Sequence, residues 1–467
     1  MKNLTAINKI RLSLGVILTF LISYILGVSF IIPIVLLVLF SYLEFAYKNT
    51  GIRAYKLLNI IFLFVINFSI ACFLIRRGFL VSYIPFTAVI MLAAILFGRP
   101  DISLIINIAS AVTISVLTNN NFSLGLIFFI GGVLASILVM DVRRRISVIS
   151  AGFLVGIAQA IIVLVFEHFN IHDPSRYLAF ILNGIISSIV VLGILPIFEY
   201  LFKTMTNISL LELADFNQPL LQRLVLEAPG TYHHSLVVGN LSEAACRAVN
   251  TNALLSRIGA YYHDIGKLEK PEYFSENQLI ETSKHDAVSP TISKLIIMNH
   301  VKEGMDLAKR HKLNPILIDF ISEHHGTSLV YYFYRRALEN QEKEQQDIKE
   351  EGFRYPGPKP KSKETAIVLL ADSVEAASRS LREPTPANVA DLVHKIINNK
   401  FIDGQLDECE LTLKDLEKIA AVFIRILSSI YHSRIMYPEK AKSSENNHTK
   451  SPKENSHLSR EDKKGRS

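Results

Sequence analysis

Tyr261-Tyr262-His263-Asp264-Ile265-Gly266-Lys267 closes an apolar helical pattern with a histidine beside an aspartate, and Gly266 stands where a helix cap belongs. One imidazole and one two-oxygen carboxylate then face the same spot, which suits a metal ion. An aspartate can also bridge two ions about 4 Å apart, the spacing at which a shared hydroxide attacks phosphorus in line. The dipeptide alone carries little weight, since most such pairs are surface or capping residues. Weight comes from the surrounding supply: His233, His234, His300, His324 and His325, with Asp372 beyond them.

Each of these residues belongs to a readable element. Pro229-Gly230 breaks the chain, and Thr231 can cap the next helix. The first turn of that helix carries His233 and His234 ahead of an apolar face made by Val237, Val238, Leu241, Ala244, Ala245 and Ala248. A helix over 252–264 delivers His263-Asp264. His300 follows the apolar run Ile292 to Met298, and a helix over 314–325 ends in Glu323-His324-His325-Gly326, where glycine again suits a cap. Asp372 lies in an apolar helix, Ala366 to Ala377, where a lone carboxylate is costly without a cation. A single histidine near a helix end is more often structural, and His285 and His311 fall in that class. These six histidines and two aspartates near helix ends and on apolar faces of one domain instead imply a binuclear site. Nitrogen and oxygen donors without thiolate point to Fe, Mn or another first-row ion.

Half of the 467 residues are hydrophobic and 19% are charged, too apolar for a soluble protein and too charged for one buried in a membrane throughout. The expected fold is all-α, a polytopic helical membrane domain followed by an all-helical cytosolic bundle. Residues 1–203 form the membrane domain, 204–230 linker helices, 231–436 the globular bundle and 437–467 a disordered polar tail. Candidate spans are 57–75, 80–98, 102–118, 122–140, 147–167 and 177–202. The stretch Leu12 to Phe45 is too long for one span, because as a helix it would reach roughly 50 Å. It reads as a hairpin turning at Gly27-Val28-Ser29, with Lys2, Lys9 and Arg11 inside; one long tilted helix or a signal sequence is the alternative.

With the last span ending in the cytoplasm, Lys48, Arg53, Lys56, Arg99, Arg143, Arg144, Arg145 and Lys203 lie inside and Arg76, Arg77 and Arg176 outside. The excess of 49 Lys+Arg over 42 Asp+Glu sits largely in membrane-flanking loops and the tail, so no nucleic-acid polymer is expected as a partner. Glu44 and Glu199 lie near span ends and no charge sits in mid-span, which weighs against a transporter. Cys72, Cys246 and Cys409 have no ligand-like spacing and imply no disulfide framework.

The motifs Gly230-Thr231-Tyr232-His233-His234-Ser235, His263-Asp264-Ile265-Gly266-Lys267, Glu276-Asn277-Gln278, His300-Val301-Lys302, His324-His325-Gly326-Thr327 and Ala371-Asp372-Ser373-Val374-Glu375 resemble, in order, those of the seven-transmembrane HD-domain phosphohydrolases, bacterial cyclic di-AMP phosphodiesterases. The resemblance implies an HD domain over 231–436 holding two divalent ions. One would bind His234, His263, Asp264 and Asp372, and the other Asp264, His300, His324 and His325, with Asp264 bridging. His233 would then orient the site through its own hydrogen bonds. Family members usually carry a large extracellular domain between the first two spans, for which this chain has no room; the 12–45 hairpin would be those spans joined directly.

The implied enzyme is a multi-pass protein of the bacterial cell membrane with a cytoplasmic HD domain, opening cyclic di-AMP to the linear 5′-phosphorylated dinucleotide. Lys267 can reach a phosphate oxygen or serve as a solvent-facing cap residue. Arg379, two turns beyond Asp372, is a second phosphate candidate, and Asn277 and Gln278 can read an adenine edge or cap a loop. Residues 353–361 read as a solvated charged face or as a lid. After His324-His325 the chain runs Gly326-Thr327-Ser328-Leu329-Val330-Tyr331-Tyr332-Phe333, without the Gly-Tyr-Pro signature of related cyclic di-GMP enzymes, so cyclic di-AMP is the expected substrate. The alternatives are another cyclic dinucleotide or nucleotide, or a membrane signalling module with little turnover; a homo-oligomer is compatible with all of them.

Overall fold

The computed structural model describes residues 29–47, 54–169, 171, 173–278, 284–344 and 348–432, with scattered positions between 17 and 24. Among the described residues the chain is helical and the β-structure is one isolated antiparallel bridge, Leu329 to Arg354. The N-terminal half comprises α1 (Ile31–Tyr47), α2 (Ala54–Arg76), α3 (Thr87–Phe97), α4 (Pro100–Leu117), α5 (Phe122–Val139), α6 (Arg145–Phe166) and α7 (Pro174–Phe202). Of these, α2 and α4 to α7 are long and apolar enough to cross a membrane. Ile137, Phe153, Ile161 and Ile189 stay exposed on the outside of this bundle, as a lipid-facing surface requires.

Helix α1 begins after Ser29, whose hydroxyl accepts the Ile31 N–H at 3.3 Å, so residues 12–45 are not one continuous helix. The proposed turn at Gly27-Val28, the charges Lys2, Lys9, Arg11, Lys48 and Arg53, and the tail 437–467 lie outside the described residues. Residues 80–98, read above as one span, are broken. A 3-10 turn, Val81–Tyr83, and Pro85 precede the 11-residue α3, which rises only about 16 Å. Proline supplies no N–H, and the Ser82 carbonyl accepts instead from Asn183 Nδ2 on α7 at 3.0 Å, while the Ile84 carbonyl accepts from the same amide at 2.7 Å and from the Phe86 N–H at 2.8 Å. Helices α6 and α7 meet backbone to backbone: a Cβ on Gly184 would stand 2.1 Å from the Gly152 carbonyl oxygen, so only glycine fits.

Two short helices, α8 (Asn207–Leu213) and α9 (Pro219–Glu227), lead into α10 (Pro229–Ala248), α11 (Ala253–Tyr262), α12 (Pro290–Arg310), α13 (Pro315–Glu323), α14 (Tyr331–Glu344), α15 (Lys363–Ser378), α16 (Pro386–Ile402) and α17 (Leu413–His432). The run Ala366-Ile367-Val368-Leu369-Leu370-Ala371 has no polar face. A helix apolar all round must be buried all round, and all six residues are fully buried with α10, α11, α13 and α16 packed about them. Helix α15 is thus the axis of the C-terminal core. Ser362 caps it, accepting the Thr365 N–H while the Thr365 hydroxyl accepts the Ser362 N–H. Leu210, Leu220, Leu221 and Leu224 of α8 and α9 form a second core with Ile258, Tyr262 and Ile265. This core seats the linker on the segment that carries His263-Asp264.

Candidate metal centre

The central helix hangs Asp372 toward one end of the bundle, where four other elements converge. Helix α10 brings His234 from its second turn, and α11 stops at Tyr262 to present His263 and Asp264. Helix α12 brings His300, and α13 stops at Glu323 to present His324 and His325. His263, Asp264, His300 and His324 are buried to within 1% of complete, and His234 and Asp372 nearly so.

Asp264 divides the cluster. Its Oδ2 lies 3.3 Å from His263 Nε2 and 3.5 Å from His234 Nε2, whereas its Oδ1 lies 3.3 Å from His300 Nε2 and 3.5 Å from His324 Nε2. Asp372 faces both sides, with Oδ1 3.1 Å from His234 Nε2 and Oδ2 3.5 Å from His325 Nδ1. The structure therefore brings together all seven residues singled out as ligands. They form two groups whose donor atoms each lie within 4.8 Å of one another, His234, His263 and Asp264 against His300, His324 and His325.

Backbone and side-chain acceptors aim the rings. The Nδ1 atoms of His263 and His324 lie 2.6 and 2.9 Å from the Ala260 and Ile321 carbonyls, three residues back on their own helices, and His300 pairs likewise with Ile297. Each ring thereby directs Nε2 inward. His234 has no such carbonyl and is aimed by Glu375, whose Oε2 is 2.5 Å from Nδ1. Tyr355 stacks on His325, centroids 4.3 Å apart. Lys267 Nζ sits 2.7 Å from both Asp264 Oδ2 and Glu276 Oε1.

Several expected roles fall elsewhere. His233 is exposed and its ring makes no hydrogen bond among the described residues, because it points off the face of α10 opposite to its neighbour; Glu375 holds the site in its place. Arg379 donates to Glu375 Oε1 at 2.8 Å, one turn back on its own helix, so its reach is spent on the group that aims His234. Asn277 accepts the Thr231 N–H at 3.0 Å and donates to the Thr231 hydroxyl at 2.9 Å, so the side chain read as an adenine contact ties down the start of α10. Thr231 itself is no cap, since α10 starts two residues earlier on Pro229. Gln278 donates to the Glu272 carbonyl at 3.1 Å. Gly266 is not a left-handed cap but a point of close approach: a Cβ there would stand 1.8 Å from the His300 carbonyl oxygen. Gly326 does take the left-handed conformation, with φ +54°. Within residues 353–361, Phe353 and Tyr355 are buried and Arg354 is paired to Asp403 at 2.8 Å, while Pro356, Pro358 and Lys361 are exposed.

Sequence reasoning missed Glu375, Glu276 and Tyr355. Glu375 carried a signal, standing three residues after Asp372 on the same helix face; Tyr355 lay in the stretch read as a solvated face or a lid, with nothing to tie it to His325.

The donor set fits metal ions. Among the buried side-chain atoms without a hydrogen-bond partner are His234 Nε2, His263 Nε2 and Asp264 Oδ1, a concentration of orphaned donors and acceptors that a cation would satisfy. Burial opposes charge on Asp264, yet His263 and Lys267 hold it ionised well below the usual carboxylate range. Asp372 is likewise held down against burial by His234 and His263. Burial, with a neighbouring imidazole, pushes His325 down and keeps it neutral, the form that binds metal.

Residues 15–206 match the family described as 7TM receptor with intracellular HD hydrolase, and residues 231–377 match the HD domain. The chain is 42% identical over 328 residues to cyclic-di-AMP phosphodiesterase PgpH of Bacillus subtilis (strain 168), covering 69% of this chain and 46% of that protein. It is 40% identical over 337 residues to the protein of the same name from Listeria monocytogenes serotype 1/2a (strain 10403S), covering 70% and 46%. It thus spans about half the length of these curated relatives. The crystal structure of the L. monocytogenes phosphodiesterase PgpH HD domain in complex with cyclic-di-AMP is 44% identical, with a TM-score of 0.45, and aligns over 46% of this chain and all of that one.

Proposed function

Because residues 15–206 match the family described as 7TM receptor with intracellular HD hydrolase and residues 231–377 match the HD domain, we propose that the chain is a member of that family and a membrane-anchored, metal-dependent phosphodiesterase that hydrolyses cyclic di-AMP to the linear 5′-phosphorylated dinucleotide. The observation that carries this reading is the division of Asp264, one oxygen toward His234 and His263 and the other toward His300 and His324. The name shared by the two relatives at 40–42% identity supports the substrate.

His234, His263, Asp264 and Asp372 would hold one divalent ion and Asp264, His300, His324 and His325 the other, with iron or manganese the best match to nitrogen and oxygen donors. Such ions supply Lewis acidity toward a phosphodiester and make a water acidic near neutral pH. The chain's own residues do the rest. Asp264 fixes the spacing of the two histidine groups, and Lys267 holds its carboxylate in place while adding positive charge beside the position of a bound phosphate. The carbonyls of Ala260 and Ile321 keep their histidines from turning. Tyr355 covers His325 and excludes water from that side. The C-terminal half is proposed to lie on the cytoplasmic side, supported by the positive charge of Arg99, Arg143, Arg144, Arg145 and Lys203 at the membrane-helix ends.

The test is turnover of cyclic di-AMP and cyclic di-GMP side by side by the purified protein loaded with Mn or Fe. Higher kcat/KM for cyclic di-AMP is expected. An equal or reversed ratio rejects the adenine assignment and leaves the hydrolase, whereas no turnover of either compound removes the enzyme.

A further inference from the structure

A cavity of about 830 Å³ lies between the two halves, lined by residues none of which belongs to the metal centre. That volume falls in the range that holds small-molecule ligands. Leu96, Phe97 and Met140 give it an apolar wall at the ends of α3 and α5. The C-terminal end of α10 and the start of α11 form the opposite wall.

Its charge is unbalanced. Four basic side chains, Arg143, Lys203, Arg247 and Arg257, line it against two acids, Asp141 and Glu243. Glu243 serves two of those bases at once, 2.5 Å from Arg247 and 2.9 Å from Arg257. Arg143 and Lys203 make no ion pair among the described residues. Two buried polar atoms on lining residues also lack partners, the Thr204 hydroxyl and Arg257 Nε. A buried donor without an acceptor is costly. Here a hydroxyl and a guanidinium N–H go unmatched on residues that line a pocket with spare positive charge.

We infer that this interdomain cavity binds a phosphate-bearing anion, its oxygens taken by Arg257, Thr204, Arg143 and Lys203 and any apolar portion by Leu96, Phe97 and Met140. A phosphate offers several acceptors and at least one negative charge, which matches both deficits. Two sources share this chemistry, a phospholipid headgroup of the adjoining leaflet and a soluble phosphate compound. The ligand would bridge the ends of the membrane helices to the turn between α10 and α11. Those helices carry His234 at the start of one and present His263 at the end of the other. The inference does not depend on the chemistry at the metal centre.

The test uses the full chain in nanodiscs of phosphatidylcholine alone, of phosphatidylcholine with phosphatidylglycerol, and of phosphatidylcholine with inorganic pyrophosphate in the buffer. The readout is hydrogen exchange across residues 249–254. Exchange about tenfold slower with phosphatidylglycerol identifies a lipid headgroup, and the same slowing with pyrophosphate a soluble phosphate; either upholds the site. Lys203→Gln, which breaks no ion pair, and Arg257→Gln should each reduce the protection, and Lys203→Gln controls for any misfolding caused by losing the Glu243 partner. Protection by neither probe in the unmodified chain, or protection that persists in full in both variants, overturns the inference.

Discussion

Asp264 joins two histidine groups, each of its oxygens lying near two of their rings. Asp264→Ala should therefore abolish turnover and lower bound metal at both positions, measured by metal analysis of the purified variant. Stoichiometric metal with near-normal turnover would defeat the binuclear assignment. Glu375 touches no second group of ligands; it aims His234 alone. Glu375→Ala should weaken metal binding by about 10- to 100-fold at one position while the other fills normally, which a metal titration resolves. The histidines and aspartates were legible because their chemistry is rare in apolar helices. The proposed substrate contacts of Asn277, Gln278 and Arg379 were less legible, because residue type reports what a side chain can bond, while the fold decides which partner it meets first. For all three the partner is a local one, Thr231, the Glu272 carbonyl and Glu375.

Among the elements, α15 was the most readable, since an unbroken apolar run of helix formers has nowhere to lie except the centre. The break before α3 was not, because hydropathy averages over Pro85 and cannot register a missing N–H. What makes the break tolerable is a single amide from α7. Asn183→Ala would leave the Ser82 carbonyl without that donor in apolar surroundings and the Ile84 carbonyl with the Phe86 N–H, a loss of about 1–3 kcal/mol. Unfolding of the detergent-solubilised protein measures it, and a variant as stable as the parent would mean that these carbonyls find other partners. The expectation for Gly266 failed for a similar reason: sequence marks a glycine, but whether it serves a turn or a close approach is settled by what packs on it, here α12.

On the scale of the whole molecule, its all-helical character and the presence of an apolar half were readable from composition, and the contact between the halves was not. That contact includes an ion pair, Arg145 to Glu212 at 2.7 Å, and a hydrogen bond from Asn314 to the Thr204 carbonyl at 3.0 Å. Both depend on where the linker helices run, and their apolar pattern marks them as helices without saying what they pack against.

Asp372 hangs from α15, the helix on which the C-terminal core is built, and this ties metal occupancy to cooperative unfolding. A ligand bound only by the native state shifts the folding equilibrium by mass action, about 2.7 kcal/mol per site at a free concentration one hundred times its dissociation constant. Stripping the protein with a chelator should lower its melting temperature, and titrating Mn back should raise it in proportion to the logarithm of free metal. A melting temperature indifferent to metal would uncouple the site from the core. If the coupling holds, the folded fraction of this protein becomes a gauge of the free metal around it, and scarcity would be felt as lost protein before it is felt as slowed chemistry.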